Sequence, residues 1–320
     1  MFWFSHDLEI KNNIVHHTKN VGIGVAAGPH DIAIHHNTVH NVGLGSQRVG
    51  IYIDAWTENQ YNIDVYNNLV YDNYGQGITA ASEGGGLLEN VNIFNNVVYN
   101  SGYDWGGIGV APWSTTSSLE HPIQDINFVN NTVYNCVGGG IVINNPEVEG
   151  ILIRNNILYK SSEALRIDAS VPLSQLTIDH NLESDPHFIS EAEANFRLQS
   201  TSPAIDAGSD IGAPGFEFDD KLRPAGDGYD IGAFEYGAAD APAPTPTFAP
   251  TPAPTPAPAP APTPGPTPPP NWLDRILIPL ILKMIGPAEG PLSPTQSHGL
   301  QPQVNTKEAA TNVTTSSWFH

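Results

Sequence analysis

The sequence I-D-V-Y-N-N-L-V-Y at residues 63–71 recurs in recognisable form six more times, beginning at residues 8, 32, 91, 126, 151 and 176. Each copy has an asparagine at the same point: Asn13, Asn37, Asn68, Asn96, Asn131, Asn156 and Asn181. The gaps between successive asparagines are 24, 31, 28, 35, 25 and 25 residues. A repeat of this length that opens with alternating apolar and polar residues is typical of a solenoid, whose repeats stack on one another.

Each repeat is expected to contain three short strands. Alternation with a period of two residues predicts the first strand, in which Ile63 and Val65 point the same way. The asparagine pair ends the alternation, because asparagine tolerates the left-handed backbone region and suits a tight turn. A second strand follows at Leu69 to Tyr71, and a third begins at a glycine, as in G-I-Y-I-D from Gly50. The repeats contain no long run with helical spacing, so the sequence predicts an all-β fold, a right-handed parallel β-helix with three strands per rung.

The repeated asparagines are interpreted as structural. Stacked rungs place equivalent residues about 4.8 Å apart. Buried amides in such a column can bond to one another and to the turn backbone, which satisfies groups that are costly to bury unpaired. We therefore expect a structural ladder of asparagines rather than a catalytic or ligand-binding column.

Composition divides the chain into four parts: rungs at 1–181, a C-terminal cap at 182–237, a Pro-, Thr- and Ala-rich linker at 238–270 and a tail at 271–320. The linker is expected to be an extended polyproline spacer. The apolar run Ile276 to Leu282 contains Pro279 and is far shorter than the roughly 20 residues that span a bilayer. This run is either a sorting or attachment signal or a short packed strand, and the final stretch is expected to be disordered.

The beginning of the chain lacks the features of a secretion signal. Met1 to Phe4 leads straight into a repeat, without a basic segment, an apolar core and a small-residue cleavage site. A solenoid also needs a capped end that covers its first rung. We therefore expect further rungs, a cap and a secretion signal upstream, and an extracellular protein that is either free or attached to the cell surface.

The net charge is strongly negative, −21 at pH 7, from 33 acidic and 12 basic residues. Such a surface repels nucleic acid and anionic membranes. A single cysteine, Cys136, excludes an internal disulfide. We expect a monomer that has neither a nucleic-acid partner nor a membrane span.

A different set of motifs follows the last repeat: D-P-H-F from Asp185, S-P-A-I-D-A-G from Ser202, R-P at Arg223 and D-I-G-A-F-E from Asp230. With these motifs, residues 8–236 resemble secreted bacterial right-handed parallel β-helix proteins of the pectate-lyase-like superfamily, whose helix ends in a choice-of-anchor Q type region. The resemblance implies the β-helix architecture and export. It implies no single reaction, because architecture rather than chemistry unites that group.

The C-terminal module, residues 182–237, is expected to cover the last rung with its apolar side chains: Phe188, Phe196, Leu198, Ile205, Ile231 and Phe234. Four carboxylates of the module could bind a structural calcium through oxygen ligands: Asp206, Asp219, Asp220 and Asp230. They could equally cap turns and pair with Arg223. No cofactor is expected to be required for function.

The outer face of the third strands is where we expect chemistry. Small residues make its floor shallow: Gly24, Ala26, Ala81, Gly109 and Ala111. Trp56 and Trp113 stand at its rim, where their faces suit stacking on sugar rings, and long insertions between rungs can form walls. The resemblance agrees, since this face is the usual substrate groove of β-helix enzymes that act on polysaccharides. Further substrate contacts are predicted at Tyr52, Trp105, Asp104 and Arg48.

Asp54 and Glu83 form the sharpest candidate catalytic pair. They lie on adjacent rungs and two positions apart along the strand, which puts their backbones about 8 Å apart. Carboxyl groups at that backbone distance can adopt either the retaining or the inverting spacing of a glycosidase. We predict that Asp54 is the nucleophile or base and that Glu83 is the acid, against the alternative that both are solvated surface charges.

The sequence thus predicts an extracellular carbohydrate-active protein with a polysaccharide or other glycan as its partner, and a glycoside hydrolase is the first hypothesis. A non-catalytic, surface-displayed carbohydrate-binding or adhesion solenoid is the alternative from another class. A polysaccharide lyase that acts on uronates is the third hypothesis. A lyase needs a Lys or Arg base, and the only arginines of the repeats are Arg48, Arg154 and Arg166.

Overall fold

The computed structural model describes residues 5–43, 49–102, 105–110 and 119–238. All of them lie in the compact unit Met1–Thr247. Beyond Ala238, the predicted linker and tail lie outside the described residues, as do three predicted site residues: Arg48, Asp104 and Trp113.

Three parallel sheets run along the solenoid, and each rung contributes one strand to each sheet. The first sheet consists of β1 (His6–Lys11), β4 (His30–His35), β7 (Gln60–Tyr66), β10 (Leu88–Phe94), β13 (Ile123–Val129), β17 (Ile151–Arg154) and β20 (Leu176–Asp179), with β16 (Val148–Glu149) also paired to β13. The second sheet consists of β2 (Ile14–His16), β5 (Thr38–His40), β8 (Leu69–Tyr71), β11 (Val97–Tyr99), β14 (Thr132–Tyr134) and β18 (Ile157–Tyr159).

The third sheet consists of β3 (Ile23–Ala26), β6 (Ile51–Asp54), β9 (Ile78–Ala81), β12 (Ile108–Val110), β15 (Ile141–Ile143) and β19 (Leu165–Ile167). A short 3-10 turn, Leu173–Gln175, precedes β20. The C-terminal module adds an antiparallel pair, β21 (Phe188–Ser190) and β22 (Asn195–Leu198). The described residues contain no α-helix, and the predicted all-β right-handed parallel β-helix is confirmed.

The interior of the helix is an apolar column from all three sheets. In the first sheet Ile63 pairs with Ile32 on one side and with Val91 on the other. Ile63 and Val65 are 0% exposed, as the alternation of the repeat predicts. Cys136 lies in the same core, where burial raises the pKa of its thiol to about 12.

The asparagine ladder is the continuous polar feature of this core. The backbone amide and the side-chain Nδ2 of Asn68 both donate to Oδ1 of Asn96, at 3.1 and 3.0 Å. Nδ2 of Asn68 also donates to the Ile34 and Tyr66 carbonyls, at 2.8 and 2.9 Å. The same side-chain bond links every successive pair from Asn13 to Asn181. The ladder amides are therefore paired with one another and with the turn backbone.

The residue before each ladder asparagine makes the turn itself. These residues have a left-handed backbone, with φ between 50° and 57°: Asn12, His36, Asn67, Asn95, Asn130, Asn155 and His180. Asparagine reaches this region at a lower cost than most residues. The two residues of the pair therefore have different roles. The first makes the turn, and the second makes the hydrogen bonds of the ladder.

Aromatic rings stack in a second column on the outside of the second sheet. The ring centroids of His16 and His40 are 5.1 Å apart, those of His40 and Tyr71 are 4.7 Å apart, and those of Tyr71 and Tyr99 are 4.9 Å apart. The planes are nearly parallel, within 3° for the last two pairs. This spacing follows from the rung repeat, so the column is a packing feature of the fold.

The C-terminal module differs from its expected position over the last rung. Its apolar side chains form a second core against the outer face of the second sheet, where they meet Val97, Ile157, Tyr99 and Tyr134. Five of the six residues expected over the last rung are buried in this lateral core: Phe188, Phe196, Leu198, Ile231 and Phe234. The sixth, Ile205, is partly buried there. The physical reason is that the second strands are apolar on both faces, so their outer face also needs a cover.

The turn-forming asparagines hold the module against the helix. Nδ2 of Asn95 donates to the Phe216 carbonyl at 2.7 Å, and Nδ2 of Asn155 donates to the Ser209 carbonyl at 2.8 Å. Farther along, Nδ2 of Asn67 donates to Oδ1 of Asp220 at 2.9 Å. The module therefore runs back along several rungs, and its contacts reach the second one.

Candidate functional site

The outer face of the third sheet is built on small residues, as predicted. Ala26 and Ala81 are 4% and 1% exposed. A Cβ atom at Gly109 would lie 2.0 Å from the carbonyl oxygen of Val142, and its φ of 155° also favours glycine. The floor at this position is therefore backbone, pressed against the next rung.

Asp54 ends β6 on this face and pairs in register with Ala81 of the next rung. Its side chain has three hydrogen-bond partners. Oδ1 accepts from the backbone amides of Trp56 and Glu83, at 2.9 and 3.0 Å, and Oδ2 faces the Tyr52 hydroxyl at 3.1 Å. Asp54 is only 2% exposed. The predicted pair is thus adjacent, since the carboxylate of one member binds the backbone of the other.

Tyr52 lies two residues before Asp54 on the same strand, so both side chains leave the same face of the sheet. Its hydroxyl is also within hydrogen-bonding reach of the Glu83 side chain. Two hydrogen bonds to one oxygen place the nearest oxygens of the two carboxyl groups within about 6 Å of each other. Retaining glycosidases have carboxyl separations of about 5 to 5.5 Å, and inverting ones about 6.5 to 9.5 Å.

Burial sets the electrostatics of this cluster. It raises the pKa of Asp54 above its ordinary value, against the opposing hydrogen bonds from the Glu83 and Trp56 amides. Burial also raises the pKa of Tyr52, and the neighbouring charges of Asp54 and Glu83 add to this effect. Tyr52 therefore remains a neutral hydroxyl, and Asp54 retains a proton more readily than an exposed aspartate does.

His121 is a neighbour of Asp54 that the repeat pattern did not reveal. It precedes β13 after the long insertion that follows β12, and its coulombic interaction with Asp54 lowers the pKa of that carboxyl. Its Nδ1 lies 2.6 Å from the Ser82 carbonyl, which can only accept, so Nδ1 carries the hydrogen. Its own carbonyl accepts from Nδ2 of Asn145 at 2.8 Å. A histidine outside the repeated columns gives no sequence signal for this position.

The two described tryptophans lie in turns at the ends of third-sheet strands. Trp56 follows β6 with a left-handed backbone, φ 53°, which is uncommon for a bulky side chain. The hydrogen bond from its amide to Asp54 holds this turn. Trp105 precedes β12, and its carbonyl accepts from Nε2 of Gln76 at 3.0 Å. Oε1 of Gln76 in turn accepts from the Thr79 hydroxyl at 2.7 Å, which links this turn to the floor.

Asp168 repeats the turn of Asp54 on the last rung of the third sheet. Its Oδ1 accepts from the amide and from the hydroxyl of Ser170, at 2.9 and 2.7 Å. The bond from the Ser170 amide is the main reason why the pKa of Asp168 is lowered. Asp54 and Asp168 therefore share a turn-capping bond but have pKa shifts of opposite sign. Burial and the Tyr52 contact distinguish Asp54.

The carboxylates considered for calcium have other partners. Oδ1 of Asp206 accepts from the Gly228 amide at 2.8 Å, and Oδ1 of Asp230 accepts from the Asp206 amide at 2.8 Å. Asp219 is paired with Arg197, and Oδ2 of Asp220 lies 2.8 Å from Nε2 of His36. In the described ranges no group of three or more His, Cys, Asp and Glu side chains is placed to hold a metal ion. The contacts match the alternative of turn caps and ion pairs, and calcium binding stays a prediction.

An open groove of about 500 Å³ lies on a different face, the outside of the first sheet. Its lining is mostly acidic and amide side chains, among them Glu9, Asp31, Asp64 and Asn92. The amides continue as a ladder, since Nδ2 of Asn92 donates to Asp64 at 2.8 Å and Nδ2 of Asn127 donates to Asn92 at 2.8 Å. Sequence analysis did not single out this face.

Comparison with protein-family models agrees with this architecture. Residues 5–121 match the family model described as the right handed beta helix region. The crystal structure of pectate lyase Pel9A is similar at 15% sequence identity and a TM-score of 0.43, and the alignment covers 73% of this chain. The chain spans 66% of that structure, just under two thirds of its length. A comparison with curated proteins finds no match.

The class of protein is therefore defined by its fold, a right-handed β-helix with a laterally packed C-terminal module. None of the helices in the described part of the chain is long and apolar enough to cross a membrane.

Proposed function

We propose that this protein is an extracellular glycoside hydrolase that cleaves a polysaccharide at the outer face of the third sheet. The observation that carries the proposal is the joining of Asp54 and Glu83 through the Tyr52 hydroxyl. Two neighbouring carboxyl groups that differ in burial are an arrangement suited to glycosidic bond cleavage. The extracellular location is supported by the resemblance of the C-terminal motifs to those of exported β-helix proteins.

The two carboxyl groups differ in burial, and this difference assigns their roles. Asp54 is 2% exposed and Glu83 is partly exposed. Burial favours the neutral form, so Asp54 is the proton holder and Glu83 the ionised member in this proposal. The sequence prediction gave the acid role to Glu83, and the burial of Asp54 favours the reverse. Glu83 then attacks the anomeric carbon, and the proton for the leaving oxygen comes from Asp54.

A non-catalytic glycan-binding solenoid is the second candidate. The observation that favours it is the turn at Asp168, which shows that an aspartate at this position can serve the backbone alone. The lyase hypothesis has less support, because both hydrogen-bonding edges of Arg154 are already engaged. Its Nε and Nη2 donate to Asp179 at 2.5 and 2.7 Å, and Nη1 donates to the Ile211 carbonyl at 2.9 Å.

The test is a panel of neutral, amino-sugar and uronate polysaccharides incubated with the full chain. Release of reducing ends reports hydrolysis, ultraviolet absorbance of unsaturated ends reports a lyase, and co-sedimentation with insoluble glycan reports binding. We expect hydrolysis that falls by about 100-fold or more in Asp54→Asn and in Glu83→Gln. The matched control, Asp168→Asn, should retain wild-type activity.

Each other outcome selects another function. Binding without either product supports the solenoid that only binds, and unsaturated ends support the lyase. Full activity in Asp54→Asn or Glu83→Gln, with the fold confirmed by circular dichroism, removes this pair from the mechanism.

A further inference from the structure

We infer that Tyr52 relays a proton from Asp54 to the glycosidic oxygen, so that a buried aspartic acid acts through a tyrosine. This inference rests on the hydrolase proposed above and adds a catalytic residue to it. The sequence indicated Tyr52 only as a substrate contact. A carboxyl group that is 2% exposed, as Asp54 is, does not itself reach a sugar. Asp54 and Glu83 alone therefore do not explain how the leaving oxygen is protonated, and a relay through Tyr52 does.

The number of hydrogens available to Tyr52 constrains its hydrogen bonds. A tyrosine hydroxyl has one hydrogen to donate and lone pairs to accept with. The Tyr52 oxygen is 3.1 Å from Oδ2 of Asp54 and also within reach of Glu83. Tyr52 can donate to only one of the two carboxyl groups. Both contacts are full hydrogen bonds only when the other carboxyl carries a proton and donates it to the Tyr52 oxygen.

The surroundings of Asp54 show where that proton sits. Oδ1 already accepts from two backbone amides, those of Trp56 and Glu83. A proton on Oδ1 would oppose both donors, so the proton belongs on Oδ2, which faces Tyr52. Heavy-atom positions alone do not fix the direction of the bond between Tyr52 and Asp54. The arrangement that satisfies every group is Asp54 Oδ2–H to Tyr52, and Tyr52 O–H to the Glu83 carboxylate.

The charges around the cluster are compatible with this arrangement. Glu83 supplies the negative charge that the Tyr52 hydroxyl donates to. The coulombic interaction of His121 with Asp54 lowers the pKa of that carboxyl and so favours the Asp54 carboxylate that forms once the proton has left. The hydroxyl of Tyr52 stays neutral because burial and both carboxyl groups oppose its ionisation.

The chemical step balances. The Glu83 carboxylate forms a bond to the anomeric carbon as the bond to the glycosidic oxygen breaks, and the electron pair of that bond goes to the oxygen. The oxygen takes the hydroxyl proton of Tyr52, while Tyr52 takes the proton of Asp54 Oδ2. Tyr52 ends neutral and Asp54 ends ionised. Water then attacks the glycosyl–Glu83 ester, and its proton returns to Asp54 through Tyr52.

The leaving group provides a test that a purely structural role would not affect. A polysaccharide needs its leaving oxygen protonated, whereas an aryl glycoside with an acidic phenol as leaving group does not. Tyr52→Phe should lower kcat on the polysaccharide by about 100-fold or more and leave the bond-breaking step with the aryl glycoside nearly unchanged. Tyr71→Phe removes a hydroxyl from a ring in the outer stack and serves as the control, with both activities retained. Equal losses on both substrates in Tyr52→Phe, or none on either, would overturn the relay.

Infrared titration gives a readout that does not depend on activity. Protonated carboxyl groups should give a carbonyl band above the pH at which exposed aspartates ionise, with contributions from Asp54 and from the buried carboxyls of the C-terminal module. The difference between the wild-type and Asp54→Asn spectra isolates the Asp54 component, which is the band followed below. Tyr52→Phe should lower the midpoint of this band by about one pH unit, because the acceptor for the Asp54 proton is lost. The absence of the band, or an unchanged midpoint in Tyr52→Phe, contradicts the shared proton. If the wild-type chain cleaves no glycan but the band behaves as expected, the hydrolase proposal fails and the proton arrangement stands.

Discussion

Two clusters of buried carboxyl groups can be compared, one on the third sheet and one in the C-terminal module. In the module, Asp230 and Glu235 are 1% and 7% exposed, and Arg223 lies between them. Nη1 of Arg223 is 3.1 Å from Oε2 of Glu235 and donates to the Asp230 carbonyl at 3.0 Å. On the third sheet, Asp54 is equally buried, but its nearest ionisable partners are a tyrosine and a second carboxyl group.

The difference lies in how each negative charge is compensated. Burial raises the pKa of Asp230 and Glu235 as it raises that of Asp54, and backbone amides oppose the shift in all three. Only the module adds a buried guanidinium, which pairs with Glu235 and makes its carboxylates part of an ion-pair network. A raised carboxyl pKa therefore does not by itself indicate a functional site. The like-charged pair on the third sheet is the arrangement associated with proton chemistry.

The largest expected effect tests the ion-pair network of Arg223. Arg223→Met should reduce the free energy of unfolding by about 3 to 5 kcal/mol, because it leaves Glu235 buried without its cation. Denaturant unfolding of the full chain measures this. The control is Arg197→Met, whose pair with Asp219 is exposed and should contribute less than about 1 kcal/mol. Similar losses in the two variants would show that the module does not depend on its buried ion pair.

The asparagine ladder sharpens the comparison, since it saturates buried groups without any charge. Asn131→Ala should cost about 2 to 3 kcal/mol, because the amide and Nδ2 of Asn96 both lose their acceptor, Oδ1 of Asn131. Asn13→Ala at the exposed end of the ladder is the matched control and should cost much less. A small effect of Asn131→Ala would mean that neighbouring groups or water replace the lost hydrogen bonds. The ladder would then depend less on its particular partners than the ion-pair network of Arg223 does.

The pH dependence of stability distinguishes Asp54 from Asp168. The folded-state pKa of Asp54 is raised above the ordinary value of 3.8. Its contribution is therefore full below pH 3.8 and is lost as the pH rises through the folded pKa. Asp54→Asn should remove this loss and make the variant relatively more stable at pH 7 than at pH 4, as measured by thermal unfolding at both values.

Asp168→Asn should show the opposite sign, because the pKa of Asp168 is lowered by its bonds to Ser170. Its contribution is present above pH 3.8 and is lost as the pH falls. If the two variants change stability with pH in the same direction, the burial of Asp54 does not have the electrostatic consequence that the third-sheet cluster requires.

The repeat made much of this architecture predictable. The period of two identified Ile63 and Val65 as core, and the repeated asparagine indexed the rungs well enough to bring Asp54 next to Glu83. These successes share a cause, because a solenoid converts sequence period directly into spatial neighbours. Burial on the outer faces did not follow in the same way. The low exposure of Asp54 depends on turns and insertions that obey no period, and His121 comes from one of them.

The second strands carry a sequence signal for the position of the module. The second strands L-V-Y, V-V-Y, T-V-Y and I-L-Y, which start at Leu69, Val97, Thr132 and Ile157, show no alternation. A strand that is apolar on both faces is covered on both faces. The Ile14 strand has the same pattern, yet Ile14 is 72% exposed, so the pattern indicates that a cover is needed but not how far the module extends.

The smallest expected effect concerns a partly buried ion pair, that of Arg154 and Asp179. Arg154 on the first sheet binds Asp179 through two bonds and lowers the pKa of Asp179 to about 2. The stabilisation is present above pH 3.8 and is lost as the pH falls toward about 2, because protonated Asp179 no longer pairs with the guanidinium. Asp179→Asn should therefore lower the melting temperature slightly at pH 7 and have no effect near pH 2. Arg154 also donates to the Ile211 carbonyl, so Arg154→Met should cost more than Asp179→Asn at both values. Equal costs for the two variants would show that the contact of Arg154 with the Ile211 carbonyl adds no stability. The ion-pair network that stabilises the module would then consist of Arg223 and its carboxylates alone.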